Sequence, residues 1–220
     1  MARIGLLGGS FNPAHEAHRA ISLGAMRTLG LDEVWWLVSP GNPLKEGAKD
    51  MASFAARFAS AERMARGARI RVSDFEQREG TRFTFDTVRQ LKRRYPRHRF
   101  IWLLGSDTLP KFHKWRNWRG LARELPIAVI PRPGYDHLAL AVRAMGWLGR
   151  FVRPSNQAKC WTEWSVPAIV QLRLPRDPTS ATAIRAHDPN WHRREPGRSA
   201  RGPRVAVPLS VRRPLGRTSS

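Results

Sequence analysis

The stretch that decides how this chain is read is GGSFNPAHEAHR, Gly8 to Arg19. It follows a short apolar run, Arg3 to Leu7, and leads into Glu16 to Leu29, where Ile21, Leu23, Ala25, Met26 and Leu29 supply an inner helical face and Gly30 a stop. A first strand therefore hands over to a first helix within a few residues. Gly8 and Gly9 permit a tight turn and the close approach of a ligand. Pro13 stiffens the loop. His15 and His18 lie three residues apart at the helix start and share one face. A helix start carries unpaired N–H groups and partial positive charge, which together favour a phosphate. Two imidazoles placed there can donate hydrogen bonds to a phosphate that gains charge in a transition state. As a bare H-x-x-H the pair also fits two unrelated helix-end histidines. A metal site would call for further ligands at suitable spacing, and no Cys or carboxylate cluster accompanies the pair.

Outward from this stretch, short apolar strands alternate with helical segments. Strands are expected at Arg3–Leu7, Glu33–Val38, Ile70–Val72, Arg99–Leu104, Ile127–Ile130 and Ala168–Leu172. Helices are expected at Glu16–Leu29, Ser53–Arg66, Phe85–Tyr95, Trp118–Glu124, His137–Leu148 and Ser180–Ala186. This alternation implies an α/β fold, a Rossmann-like doubly wound parallel sheet with helices on both faces. Ligands of such sheets sit beyond the carboxyl ends of the strands, near the switch in strand order. The chemistry-bearing residues do follow strands: Gly8–His18 the first, Asn42–Lys45 the second, and Gly105–Trp115 the strand RFIWLL.

The 220 residues suffice for one domain with a tail, expected as a domain over 1–190 and an Arg/Pro-rich disordered tail over 191–220. No run approaches the roughly 18 apolar residues of a membrane span, and the N-terminus is unlike a signal peptide. A cytoplasmic protein is expected. The single cysteine, Cys160, excludes an internal disulfide and is expected to be a buried, inert thiol. The net charge of +22 is carried mostly by Arg. It points to a polyanionic partner such as nucleic acid, and equally fits the coding bias of a G+C-rich genome.

GGSFNPAHEAHR resembles the G-x-F-x-P-x-H-x-G-H signature of the nucleotidylyltransferase superfamily, a relative of the HIGH motif of class I aminoacyl-tRNA synthetases. Gly9, Phe11, Pro13, His15 and His18 match, and Ala17 stands where the family has glycine. Ser180, Thr182 and Arg185 resemble the superfamily's C-terminal S-x-T-x-x-R element. Hydroxyls at a helix start can cap it or meet phosphate oxygens, and an Arg one turn on offers a fork of donors; a plain capped helix with a surface Arg has the same residues.

Two further segments are similar to those of bacterial nicotinate-nucleotide adenylyltransferases. Gly105-Ser106-Asp107 with Phe112-x-x-Trp115 resembles their G-x-D…F-x-x-W, and Arg82-Phe83-Thr84-Phe85-Asp86-Thr87 their Y-T-x-D-T. Asn42-Pro43-Leu44-Lys45 resembles their phosphate-contacting loop.

The resemblance spans Arg3 to His187. It implies adenylyl transfer from ATP to nicotinate mononucleotide, in NAD biosynthesis, with nicotinamide mononucleotide or phosphopantetheine as rival acceptors. By it, His15, His18 and Arg185 are the catalytic residues. Gly8, Gly9, Ser10, Phe11, Gly105, Asp107, Ser180 and Thr182 join them in binding ATP. Lys45, Thr84, Asp107 and Trp115 hold the mononucleotide, with Trp115 and Thr84 at the nicotinate ring. Mg²⁺ comes with ATP, held by phosphates and water rather than by a protein metal site. At position 17 the extra methyl is expected to weaken or displace ATP slightly.

Overall fold

The computed structural model describes residues 1–41, 51–134, 142–175 and 177–194. In chain order the elements are β1 (Arg3–Gly9), α1 (Glu16–Leu29), β2 (Glu33–Val38), α2 (Phe54–Ala65), β3 (Ile70–Ser73), α3 (Phe75–Arg78), α4 (Thr84–Arg94), β4 (Arg99–Gly105), α5 (Leu109–Phe112), α6 (Trp118–Glu124), β5 (Ile127–Ile130), α7 (Met145–Leu148), β6 (Val152–Arg153), β7 (Ile169–Gln171) and α8 (Ala181–His187). Three 3₁₀ segments, Gly149–Phe151, Ser155–Glu163 and Trp191–Arg194, complete them. The helix boundaries follow local chemistry. Ser53 accepts from the Ala56 N–H to start α2, Asn117 from Gly120 to start α6, and Ser180 from Ala183 to start α8. Gly30 ends α1 at φ 63°, a left-handed cap that returns its N–H to the Met26 carbonyl.

The strands form one sheet in the order β3-β2-β1-β4-β5-β7-β6, every pairing parallel. Adjacent strand residues point to opposite faces, and both faces are covered. Leu6, Trp35 and Trp102 join one cluster with Val88 and Leu91 of α4 and Leu121 of α6. Leu7, Trp36 and Leu103 join the other with Met26 and Leu29 of α1, Ala61 of α2 and Trp161. The doubly wound α/β sheet expected from the alternation is therefore present. The chain runs from β1 outward through β2 and β3, then returns to β4 on the other side of β1. The switch in strand order thus falls between β1 and β4. Their carboxyl ends, Gly8–Gly9 and Gly105, open the crevice where ligands of such sheets bind.

Several expectations need correction. The helix expected over His137–Leu148 is helical only at Met145–Leu148 among the described residues, with Arg143 and Ala144 in a turn; residues 135–141 lie outside them. Cys160 is exposed, because the 3₁₀ segment turns Ala158 and Trp161 to the core and leaves the thiol outside. Trp191, one residue past the expected domain boundary, is buried, and its 3₁₀ turn packs on α2. The four-residue helices α3 and α5 and the two-residue edge strand β6 carry no periodicity and escaped the sequence pattern. No helix among the described residues is long and apolar enough to cross a membrane.

Candidate active site

The turn that follows β1 is built before it binds anything. Phe11 sits at φ 48°, a left-handed conformation that costs a non-glycine residue about 1–3 kcal/mol. Its ring fixes it there, stacked on Trp36 at 5.0 Å and against His18 at 4.9 Å. Phe11 is 2% exposed, so its side chain supports the site from beneath rather than facing a nucleotide. Gly9 has no Cβ where the Phe11 ring passes; one would lie 3.2 Å from it. The Ala14 N–H donates to Ser60 Oγ, and the Asn12 side chain accepts from the Ala52 N–H.

His15 is the N-cap of α1 and His18 its third residue. Their rings lie 3.9 Å apart between centroids. The His15 backbone N–H donates to His18 Nδ1 at 3.2 Å. That nitrogen must carry a lone pair, so the proton of neutral His18 resides on Nε2, free to be donated to a ligand. His15 Nδ1 is buried without a hydrogen-bond partner among the described residues. Burial, then the charge of Arg132, pushes His15 down to about 4, with Asp177 opposing. Burial, then the neighbouring His15 and Arg132, holds His18 well below the ordinary imidazole range. Both rings are therefore neutral at pH 7 in the free protein.

The C-terminal motif reaches this turn directly. Arg185 Nη1 of α8 donates to the Asn12 carbonyl at 2.7 Å, across 173 residues of sequence. Ser180 Oγ caps α8, and Thr182 beside it is exposed. Just before them, the Asp177 carboxylate accepts from the Thr179 N–H at 2.8 Å, and its hydrogen bonding to Thr179 keeps it ionised.

Across the crevice, Gly105 ends β4, and the space a Cβ would take is filled by the Asp107 carboxylate. Asp107 Oδ1 lies 3.9 Å from Arg132 Nε, and buried Ser106 accepts from the Arg132 N–H at 2.8 Å. Arg132 was not read from the sequence. Its signal was available, since it follows β5 as Gly105–Asp107 follows β4.

Thr84 and Trp115, expected at the mononucleotide, lie on the elements beside these. The absence of a side chain on Gly8 admits the Trp102 indole, 2.8 Å from where a Cβ would be. Trp115 stands edge-on to Trp102 at 6.2 Å and to Phe112 at 5.3 Å, half-buried. Thr84 is the first residue of α4, one position earlier than expected. Arg116 joins the two segments, 4.6 Å over the Phe83 ring and 3.4 Å from Asp86. Trp118 packs on Phe112 and Trp147, as core. Lys45 lies outside the described residues. Ala17 is 0% exposed, its methyl enclosed by protein.

Among the described residues no three His, Cys, Asp or Glu side chains gather as a metal cage.

The chain matches the cytidylyltransferase-like family over residues 6–187. It is 56% identical over 189 residues to a protein named "probable nicotinate-nucleotide adenylyltransferase" from Erythrobacter litoralis, covering 86% of each chain. It is 50% identical over 183 residues to one of the same name from Gluconobacter oxydans, covering 83% of this chain and 93% of that one. Its fold is similar to that of Plasmodium falciparum nicotinic acid mononucleotide adenylyltransferase complexed with NaAD, with a TM-score of 0.61 at 18% identity, over 84% of this chain and 83% of that one. Motif order, crevice and relatives agree: the chain belongs to the bacterial nicotinate-nucleotide adenylyltransferases of the cytidylyltransferase-like family.

Proposed function

We propose that residues of the β1–β4 crevice carry adenylyl transfer from ATP to nicotinate mononucleotide, giving nicotinate adenine dinucleotide and pyrophosphate. The observation that supports these roles best is the convergence on one turn of two neutral imidazoles and Arg185 from the far end of the chain. The attacking group is already a phosphate anion, so no general base is needed. The protein's task is to align two anions and stabilise charge on the phosphorus being transferred.

His18 Nε2 and His15 donate to the α-phosphate. The negative phosphates oppose the burial and the neighbouring positive charge that keep both rings neutral, so each imidazole gains proton affinity as charge develops. Arg185, Ser180 and Thr182 hold the leaving β- and γ-phosphates, with the backbone of Gly8, Gly9 and Ser10 beside them. Gly105 and Asp107 receive the ribose edge of the nucleotides, and Arg132 adds positive charge there. Trp115 and Thr84 take the nicotinate ring, and Lys45 the mononucleotide phosphate. A Trp face suits an electron-poor pyridinium. Mg²⁺ accompanies ATP and neutralises part of its charge.

The test is pyrophosphate release from MgATP with nicotinate mononucleotide, nicotinamide mononucleotide and phosphopantetheine offered separately. Preference for the first is expected. Preference for another acceptor would keep the histidine roles and overturn those of Thr84 and Trp115. Salt-sensitive nucleic-acid binding without turnover would favour the basic-protein reading of the charge.

A further inference from the structure

Arg57 lies on the first turn of α2, and only 1% of it is exposed. A fully buried guanidinium is ordinarily matched by a carboxylate. Here, among the described residues, its N–H groups meet only carbonyl oxygens, and its guanidinium carbon lies 5.5 Å over the Phe54 ring. Nε donates to Ala52 O at 3.0 Å, Nη1 to Ser10 O and to Ser39 O at 2.7 Å each, and Nη2 to Pro40 O at 3.2 Å. Four of its five donors are thus committed, to three separate pieces of chain. Ser10 belongs to the turn after β1. Ser39 and Pro40 follow β2. Ala52 precedes α2, and its N–H is held by the side chain of Asn12, whose carbonyl holds Arg185.

We infer that Arg57 is a positioning residue that fixes the β1 turn bearing the histidines relative to the chain leaving β2, and so sets the spacing of the two bound phosphates. This rests on the adenylyltransferase reading, which places ATP on the first of these segments and the mononucleotide phosphate past the second. One Nη1 bridges Ser10 O and Ser39 O, 2.7 Å from each, so the spacing of these carbonyls is set by a rigid planar group. The same bonds turn the negative ends of four carbonyls inward onto a cation and away from a crevice that must take polyphosphate. No carboxylate among the described residues cancels the charge, so its field adds to that of Arg132 and Arg185. Lysine cannot substitute, since one ammonium on a flexible stem cannot reach three segments in a plane.

The test compares wild type, Arg57→Lys and Arg57→Ala by turnover, thermal unfolding and amide hydrogen exchange. Displacing reacting groups by about 1 Å costs on the order of 100-fold, and a kcat loss of that size is expected in Arg57→Lys at temperatures where it remains folded. Guanidinium at sub-denaturing concentration should restore about tenfold of the turnover lost in Arg57→Ala, by refilling a cavity whose four acceptors are left unpaired. Exchange should quicken in peptides covering residues 8–18 and 34–41 and stay unchanged in β4 and β5. Wild-type kcat in Arg57→Lys, or a loss that only tracks the folded fraction with no guanidinium rescue, would overturn the assignment. Should the wild type itself fail to turn over nicotinate mononucleotide, the adenylyltransferase reading falls. The exchange pattern then decides on its own: unchanged exchange at the β1 turn in Arg57→Lys would overturn the role.

Discussion

The two banks of the crevice are made differently. The bank after β1 is polar and tightly bonded, with the Ser10 and Asn12 carbonyls, the His15 and Ala14 N–H groups and the Asn12 amide all committed to partners. The bank formed by α4, α5 and the chain before α6 is assembled mainly from ring contacts, Trp102 to Trp115 to Phe112 to Trp118, with Arg116 laid over Phe83. A phosphate site needs donors aimed at fixed points, which demands particular residues at particular spacings. A ring site needs a flat half-buried surface, which many packings provide. The first bank should therefore fail through loss of rate and the second through loss of affinity.

His18→Ala should break the first bank most severely. Removing one pre-placed donor to the transferred phosphate costs on the order of 10³-fold in kcat. The KM for each substrate should change little, and the fold should persist, because Phe11 still stacks on Trp36. Single-turnover quench measurements with both substrates saturating would show it. Near-normal turnover would mean that Nε2 does not face the phosphate.

The second bank hides one polar group of consequence. Glu76 of α3 is 8% exposed, and burial pushes its carboxyl from 4.5 to about 7, against a hydrogen bond from Thr87. The Thr87 hydroxyl has one proton and three neighbours, Glu76 Oε1 at 3.1 Å, Thr81 Oγ1 at 2.9 Å and the Phe83 carbonyl at 3.2 Å. A protonated Glu76 can donate to Thr87, which leaves the Thr87 proton for Phe83, the residue before Thr84. In the unfolded chain Glu76 loses its proton near 4.5, and in the folded chain only near 7. Its contribution is therefore intact below pH 4.5, falls as pH rises between these values, and stays low above 7. The whole drop is about 3 kcal/mol. Glu76→Gln should match wild type at pH 4 and exceed it in urea unfolding by up to that amount at pH 8. An equal difference at both pH values would show that Glu76 does not titrate there.

Trp115→Ala tests the ring bank itself. Loss of one stacking face is worth about 1–3 kcal/mol, so the KM for nicotinate mononucleotide should rise about tenfold while that for ATP holds. Parallel rises in both would place Trp115 in the wall between the substrates instead of at the ring.

The same contrast explains what could be read from the sequence. α1, β2, α6 and β5 fall where periodicity and stop signals put them, and both end motifs meet at Arg185 and Asn12 as their order implied. Arg57 was invisible because a helix rich in Ala, Arg and Phe reads the same whether its Arg faces water or four carbonyls. Arg132 was missed for want of a motif, although its place after β5 obeyed the rule that found Asp107. The outermost position of β6 lay beyond reach too, since a two-residue strand has no period and sheet order is set by packing.

Ala17→Gly is the smallest change and discriminates most finely between motif and structure. The motif suggests that the methyl of Ala17 intrudes on the nucleotide, so its removal would tighten ATP. The methyl is, however, wholly enclosed by protein at the second residue of α1, beneath the two histidines. Removing it exposes nothing to ATP and adds backbone freedom to a helix, which costs about 0.5–1 kcal/mol. The expected result is an unchanged KM for ATP and a Tm lowered by about 2–4 °C. A KM for ATP that falls severalfold in steady-state assays would show that the nucleotide does press on this turn, and that the phosphate bank yields where its bonding network implies it is stiff.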